Sequence, residues 1–259
     1  MTNLIKMDLH RMFRARSFKV CLILAFSFGF IGMPLLKLFS FLLNIIPGAE
    51  SSVSALMPDS TNLSSIIANP FPALNCMLLM FSACYFFYAD LEHGYIKNIA
   101  GQMPKKGYSI LSRYLALIPH NLIFIVTGII GNLIGNLLIV RVVVDQDVMK
   151  MTGSLLVRFL LLQGLCAILL LVVSALHSKT FGMVLSVVFG GEMMKLIYTS
   201  IDLAIRLGFK KTVEIEKIMP DQLMWEQAPE LIPALPVAAA TIIVFLVLAI
   251  RIFDRRAIK

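Results

Sequence analysis

Residues 154–204 read SLLVRFLLLQGLCAILLLVVSAL, then HSK, then TFGMVLSVVFGGEMMKLIYTSIDLA. Each apolar run is long enough to cross a hydrocarbon core of about 30 Å, which takes about 20 helical residues at 1.5 Å each. Because only His177, Ser178 and Lys179 separate the runs, the two helices must be antiparallel neighbours. This stretch therefore predicts a helical hairpin within a membrane.

Apolar runs of similar length recur along the chain. The six predicted spans lie at about 18–46, 70–89, 112–140, 154–176, 180–204 and 235–253. Hydrophobic residues make up 59% of the 259 residues, and the mean hydropathy is +0.87. Soluble domains are about 45–50% apolar, so the excess here must face lipid. We predict an all-α membrane protein in which residues 1–259 form a single transmembrane domain.

The segment before the first span is basic and amphipathic. Residues 2–16 read TNLIKMDLHRMFRAR, with Leu4, Ile5, Leu9, Met12 and Phe13 recurring at helical spacing. The basic side chains lie mostly on the other side of this helix, as in helices that rest in a membrane surface. We predict an interfacial helix here; a solvated basic tail is the alternative.

The distribution of Lys and Arg predicts the orientation in the membrane. The segments on the N-terminal side of the predicted bilayer carry more Lys and Arg than the opposite segments, by about two to one, and residues 47–69 carry none. This bias predicts a multi-pass protein of the cell membrane with both termini in the cytoplasm. The net charge of +8 belongs to these flanking segments, so it indicates contact with membrane lipid and no nucleic acid partner.

A polar, basic segment follows the second span. Residues 90–113 read DLEHGYIKNIAGQMPKKGYSILSR. Tyr95, Ile96, Ile99 and Met103 form an apolar stripe at helical spacing, and Pro104 would end such a helix. A short helix that is apolar on one side and basic on the other suits docking to a cytoplasmic partner. An ordinary basic loop is the alternative.

The order of residues in this segment resembles a known family. It reads EHGYIKNI at 92–99, KK at 105–106 and SR at 112–113. This is similar to the cytoplasmic segment of ABC-2 type permeases, the membrane subunits of ABC exporters, where an acidic residue, Gly, Ile-Lys-Asn, a basic cluster and Ser-Lys follow one another. Tyr95 stands where that family usually has Thr, and Arg113 where it has Lys.

The resemblance implies a function and partners. A soluble nucleotide-binding ABC subunit would carry ATP and Mg, and a second permease copy or paralogue would complete the pathway. The chain itself would be a non-catalytic subunit without cofactor or metal. Similarity to lantibiotic-immunity and peptide-toxin exporter permeases implies an amphipathic or antimicrobial peptide substrate. The implied coupling helix between spans two and three presents Glu92, Gly94, Tyr95, Ile96, Lys97, Ile99 and Met103 to the ATPase.

The chain lacks the phosphate-binding motif of ATPases and two common motifs of hydrolases. It contains no GxxxxGK[ST] phosphate loop, no HExxH and no GxSxG. The four histidines do not have the spacing of metal ligands. These observations agree with a permease that depends on an ATPase elsewhere.

The fifth predicted span carries charged and polar residues. Their spacings of 3, 4, 3 and 4 put them on one face of a continuous helix. They are Glu192, Lys195, Thr199, Asp202 and Arg206. Because charges facing lipid are unfavourable, this stripe predicts a translocation path or a contact between two permease copies. The alternative is structural: mutual neutralisation of the first pair and surface exposure of the last.

The third predicted span contains a GxxxG pattern at Gly131 and Gly135. Such spacing lets two helices approach closely. We favour packing within one subunit, and self-association is the alternative.

Two other functions are compatible with the composition. A membrane-embedded enzyme, such as an intramembrane protease, would use Glu192 or His120 and would need catalytic groups on facing spans. A nucleotide-independent channel or adaptor would leave 90–113 as a simple loop.

Overall fold

A computed structural model describes residues 2–44, 60–68, 73–92, 107–144, 148–209, 219–225 and 231–255. The helices in these ranges are α1 (Thr2–Arg14), α2 (Arg16–Asn44), α3 (Leu63–Ala68), α4 (Ala73–Glu92), α5 (Gly107–Ile139), α6 (Val148–Leu176), α7 (Lys179–Gly190), α8 (Met194–Phe209), α9 (Pro220–Trp225) and α10 (Leu231–Arg255). Two short strands, β1 (Ser60–Asn62) and β2 (Arg141–Val143), complete the described elements. The all-α prediction is confirmed.

Several of these helices have the length and composition of membrane spans. Among the described residues these are Arg16–Leu42, Gly107–Ile139, Met151–Leu176 and Ala234–Arg255, and α7 with α8 makes a fifth if the bent pair is one span. Helix α4 is apolar over the shorter stretch Leu74–Ala89. A membrane protein of four or five spans is therefore supported, whereas the six-span count stays a prediction.

Helix α6 is the central helix of the bundle. In its most apolar 18-residue window 61% of the residues are buried, against 11% in the corresponding windows of α2 and α10. Helix α10 packs along α6, and α2 packs along α5. The outward sides of α2 and α10 carry large apolar side chains, such as Ile23, Phe41 and Ile243, as expected of surfaces that face lipid. All four cysteines are buried and none is in a disulfide.

The GxxxG pattern lies in the contact between α5 and α2. A Cβ atom added at Gly131 would lie 2.7 Å from the carbonyl oxygen of Phe26, and one at Gly135 would lie 2.5 Å from that of Phe30. These distances leave no room for a side chain, so the two backbones touch directly. Packing within one subunit is thus confirmed for this motif.

The prediction of one continuous helix over 180–204 is wrong. Helix α7 ends at Gly190, a turn occupies 191–193, and α8 leaves at an angle of 74°. Glu192 in this turn has φ of 59°, in the left-handed region that a residue with a side chain rarely adopts. Two consecutive glycines weaken the helix here, and a Cβ at Gly190 would lie 2.7 Å from the backbone nitrogen of Met77 in α4. Close packing against α4 therefore favours glycine at position 190, although glycine is a poor residue for continuing a helix.

A two-stranded parallel ladder joins β1 to β2. Ser60, Thr61 and Asn62 pair with Arg141, Val142 and Val143, respectively. The ladder ties the chain before α3 to the end of α5. No sequence pattern predicted these strands, because each is only three residues long and follows no hydrophobic alternation.

Candidate functional site

The predicted coupling residues lie mostly outside the described residues. Glu92 is the last residue of α4 and is exposed. Gly94, Tyr95, Ile96, Lys97, Ile99 and Met103 fall within 93–106, about which the structure makes no statement. The described residues begin again at Gly107, where α5 starts.

The first two turns of α5 form a buried polar cluster with α1. Ser109, Ser112 and Arg113 lie on one face of α5, and each is at most 5% exposed. The Ser112 hydroxyl donates a hydrogen bond of 2.5 Å to Oδ2 of Asp8, which is 2% exposed. The Arg113 guanidinium donates to the Ser109 hydroxyl at 2.9 Å, and Arg11 lies 3.8 Å from the Asp8 carboxylate. Charges removed from water need such partners, so this cluster fixes the position of α1 on α5.

The start of α5 is also bound by α10. The backbone N–H of Gly107 donates a 2.6 Å hydrogen bond to Oδ1 of Asp254. The first N–H groups of a helix have no partner within the helix, and a carboxylate there also interacts favourably with the helix dipole. A Cβ at residue 107 would lie 2.6 Å from Cγ2 of Ile250, so glycine permits this close approach. Helices α1 and α10 therefore both attach to α5 directly beside residues 93–106.

Sequence reasoning missed Asp8 and Asp254. Each lies in a basic segment whose Lys and Arg predict the topology. The available signal was that Asp8 is the only acidic residue in 2–16 and Asp254 the only one in 251–259. A lone carboxylate in a basic segment is a candidate for a specific contact, and here each one binds the same helix end.

The structure separates the predicted charged stripe into two parts. Lys195, Thr199, Asp202 and Arg206 share a face of α8, whereas Glu192 lies in the turn before it. The prediction that all five residues share one face is therefore wrong for Glu192, because the helix breaks at 191–193. Lys195, Thr199 and Arg206 are exposed, and Asp202 is half-buried.

Helix α8 is attached to α9 through Tyr198, which borders the polar stripe one turn from Lys195 and Asp202. The Tyr198 hydroxyl donates a 3.1 Å hydrogen bond to Oδ1 of Asp221 in α9, and the Gln222 amide donates to Oδ2 of the same carboxylate at 2.9 Å. Asp221 is 1% exposed. Leu196, 73% exposed, and Leu203, 57% exposed, leave an apolar surface of α8 uncovered beside the polar stripe.

His120 lies in a separate polar network within the core. Its Nδ1 is 2.8 Å from Oδ1 of Asn121 and its Nε2 is 3.0 Å from the Ser82 hydroxyl. The imidazole is fully buried and packs against the rings of Phe18 and Phe124. Both ring nitrogens are thus engaged, which leaves neither for a substrate or a catalytic water. Within the described ranges, no three His, Cys, Asp or Glu side chains are grouped to hold a metal ion.

Neither models of known protein families nor curated proteins match the chain. The similarity to ABC-2 permeases therefore depends on the residues quoted from 92–113. Of those, Ser112 and Arg113 now have a described structural role in the cluster around Asp8.

Proposed function

We propose that this chain is the membrane permease subunit of an ATP-driven ABC exporter. Residues 90–106 would form the coupling segment that a soluble nucleotide-binding subunit displaces. The observation that carries this proposal is the double attachment at the start of α5. Asp8 of α1 and Asp254 of α10 both bind the first two turns of the helix that follows the segment directly.

This arrangement suits transmission of a movement into the bundle. A force on 93–106 would reach Gly107 first, and the hydrogen bonds to Asp8, which is buried, and Asp254, which is exposed, would oblige α1 and α10 to move with α5. Helix α2 follows α1 after Ala15 and touches α5 backbone to backbone at Gly131 and Gly135. Several helices therefore respond together. Nucleotide on the partner would shift the balance between two arrangements of this group.

The exposed surface of α8 supports a second copy or paralogue of the permease as a partner. Lys195, Thr199 and Arg206 would be unfavourable against lipid but acceptable against protein or a water-filled path. We propose that the stripe contacts the second permease or the transported molecule. An amphipathic peptide, which the family resemblance implies as cargo, has the mixture of apolar and charged groups that this face of α8 also presents.

The coupling proposal can be tested by site-specific crosslinking in native membranes. Lys97→Cys places a thiol in the segment, and Val144→Cys places one beyond β2, where Val144 is 76% exposed. The native cysteines are all buried and contribute little background labelling. We expect the thiol at position 97 to crosslink to a soluble protein with a Walker-type ATP site and the thiol at 144 not to do so.

Labelling from one side of the membrane can contradict the coupling proposal. A membrane-impermeant maleimide added outside intact cells should label the Val144→Cys variant and spare Lys97→Cys. Labelling of position 97 from outside would exclude a cytoplasmic ATPase as its partner. Unchanged ATP-driven transport in both Glu92→Ala and Gly94→Trp would likewise contradict the coupling role.

A further inference from the structure

A cavity of about 430 Å³ lies between α2, α5 and the β1–α3 segment. Phe28, Met33 and Leu36 of α2 form its apolar wall, and Thr61, Asn132 and Asn136 form a polar side. None of the described residues that line it carries a formal charge. Cavities of this size and composition are typical of sites for small molecules.

The polar side of the cavity contains a buried acceptor without a partner. Asn136 is 3% exposed, and its Nδ2 donates to both the backbone oxygen and Oδ1 of Asn132 at 2.8 Å. Its Oδ1 is buried and accepts no hydrogen bond from any described residue. The hydroxyl of Thr61 is in the same situation. Buried polar atoms are normally satisfied, so these two atoms indicate a group that the described residues do not supply.

Gly32 leaves the apolar wall open. A Cβ at this position would meet no atom within 4 Å. On the same helix, Leu35 is 60% exposed and Phe28 40% exposed, so this side of α2 has the character of a lipid-facing surface. A molecule dissolved in the bilayer would therefore find an apolar approach to the cavity.

We propose that this cavity binds an uncharged lipid that carries a free hydroxyl group, of the diacylglycerol type. The hydroxyl donates to Oδ1 of Asn136 and accepts from the Thr61 hydroxyl, and an acyl chain lies against Phe28, Met33 and Leu36. A charged head group is disfavoured because no described lining residue offers an opposite charge to offset its desolvation. Binding at this site does not depend on ATP or on a partner protein.

The test uses the full chain in phosphatidylcholine nanodiscs with dioleoylglycerol that carries a diazirine on one acyl chain. Photocrosslinks are mapped by mass spectrometry. We expect saturable labelling of residues 28–36 that unlabelled dioleoylglycerol displaces. A phosphatidic acid probe with the same chains, in which an anionic phosphate ester replaces the free hydroxyl, should not label this region saturably.

Variants separate the cavity from general lipid contact. Gly32→Leu fills the open wall and should abolish the saturable labelling, whereas Gly153→Leu, where an added Cβ also meets no atom, should leave it unchanged. Thr61→Val and Asn136→Leu should each weaken labelling by about tenfold, the effect of one lost hydrogen bond. Thermal unfolding of every variant in the same nanodiscs identifies any that fail to fold, and Thr61→Val, which preserves side-chain shape, carries the test if Asn136→Leu fails.

Equal labelling by the neutral and anionic probes, or labelling that survives Gly32→Leu, would overturn the proposal and indicate annular lipid only. Displacement by an uncharged hydrophobic peptide but not by dioleoylglycerol would also overturn it. Since no nucleotide enters this experiment, its failure leaves the exporter proposal untouched.

Discussion

The two ends of α5 are held in different ways. At its start, Ser112 and Gly107 bind carboxylates from two other helices. Toward its other end, Gly131 and Gly135 bring its backbone against α2 with no side chains between. The first attachment depends on charge and hydrogen bonds, and the second depends on shape alone. Under the proposed coupling role, α5 is bound specifically where the force would arrive and packed closely toward its other end.

Substitution in the close backbone contact between α5 and α2 should give the largest loss of stability. In Gly135→Leu the Cβ would lie 2.5 Å from the carbonyl oxygen of Phe30, and backbone cannot move aside as a flexible side chain can. We expect the free energy of unfolding to fall by about 3 kcal/mol or more. Denaturation in detergent measures this, with Gly153→Leu as the control that should change by less than about 1 kcal/mol. Equal effects of the two substitutions would contradict close packing at Gly135.

The buried carboxylate comes next. Asp8→Asn keeps the shape of the side chain but replaces the carboxylate that accepts from Ser112 with a neutral amide. Hydrogen bonds to charged groups contribute about 1.5–3 kcal/mol, so we expect a loss in that range. A double-mutant cycle with Ser112→Ala checks the pairing: if Asp8→Asn and Ser112→Ala add without coupling, the two side chains do not interact in the membrane.

A methyl group added to α2 tests how tightly this helix packs on α5. In Gly29→Ala the Cβ would lie 3.1 Å from the backbone nitrogen of Asn132 and 3.2 Å from the carbonyl oxygen of Gly128. A shift of a few tenths of an ångström relieves such contacts, so we expect a loss of about 1 kcal/mol. Gly32→Ala, on the same helix but facing open space, is the matched control. A loss as large as that of Gly135→Leu would show that the helices cannot adjust at all.

The smallest effect is expected at the exposed carboxylate. Asp254→Asn can still accept from Gly107 but loses its interaction with the helix dipole. We expect a loss of about 0.5 kcal/mol that shrinks in high salt, because exposed charges are screened. Arg251→Gln, at another exposed position of α10, should not reproduce this salt dependence. Salt-independent destabilisation by Asp254→Asn would rule out an electrostatic origin.

Long apolar runs predicted the positions of the main helices, because lipid selects for such runs wherever a helix crosses it. The break at 191–193 was missed because average hydropathy does not reveal a pair of glycines within an apolar run. Gly190 contacts Met77, more than a hundred residues earlier in the chain, and local sequence does not show such a contact. Asp8 and Asp254 were overlooked for a related reason: their partners on α5 cannot be inferred from local pattern. The cavity is assembled from three separate segments of uncharged residues, and no motif marks such a site. Most of the residues that carry the family resemblance, 93–99 and 105–106, lie outside the described ranges.

The bond between Asp8 and Ser112 joins residues 104 positions apart. At a synthesis rate of about 5–20 residues per second, the ribosome needs roughly 5–20 s after making Asp8 before Ser112 exists. Until then the Asp8 carboxylate lacks the hydroxyl that donates to it in the finished fold, so burial of this charge among apolar side chains is unfavourable. We therefore expect α1 to dock only after α5 has been made, so that the bond which holds α1 in the finished protein would also order its assembly.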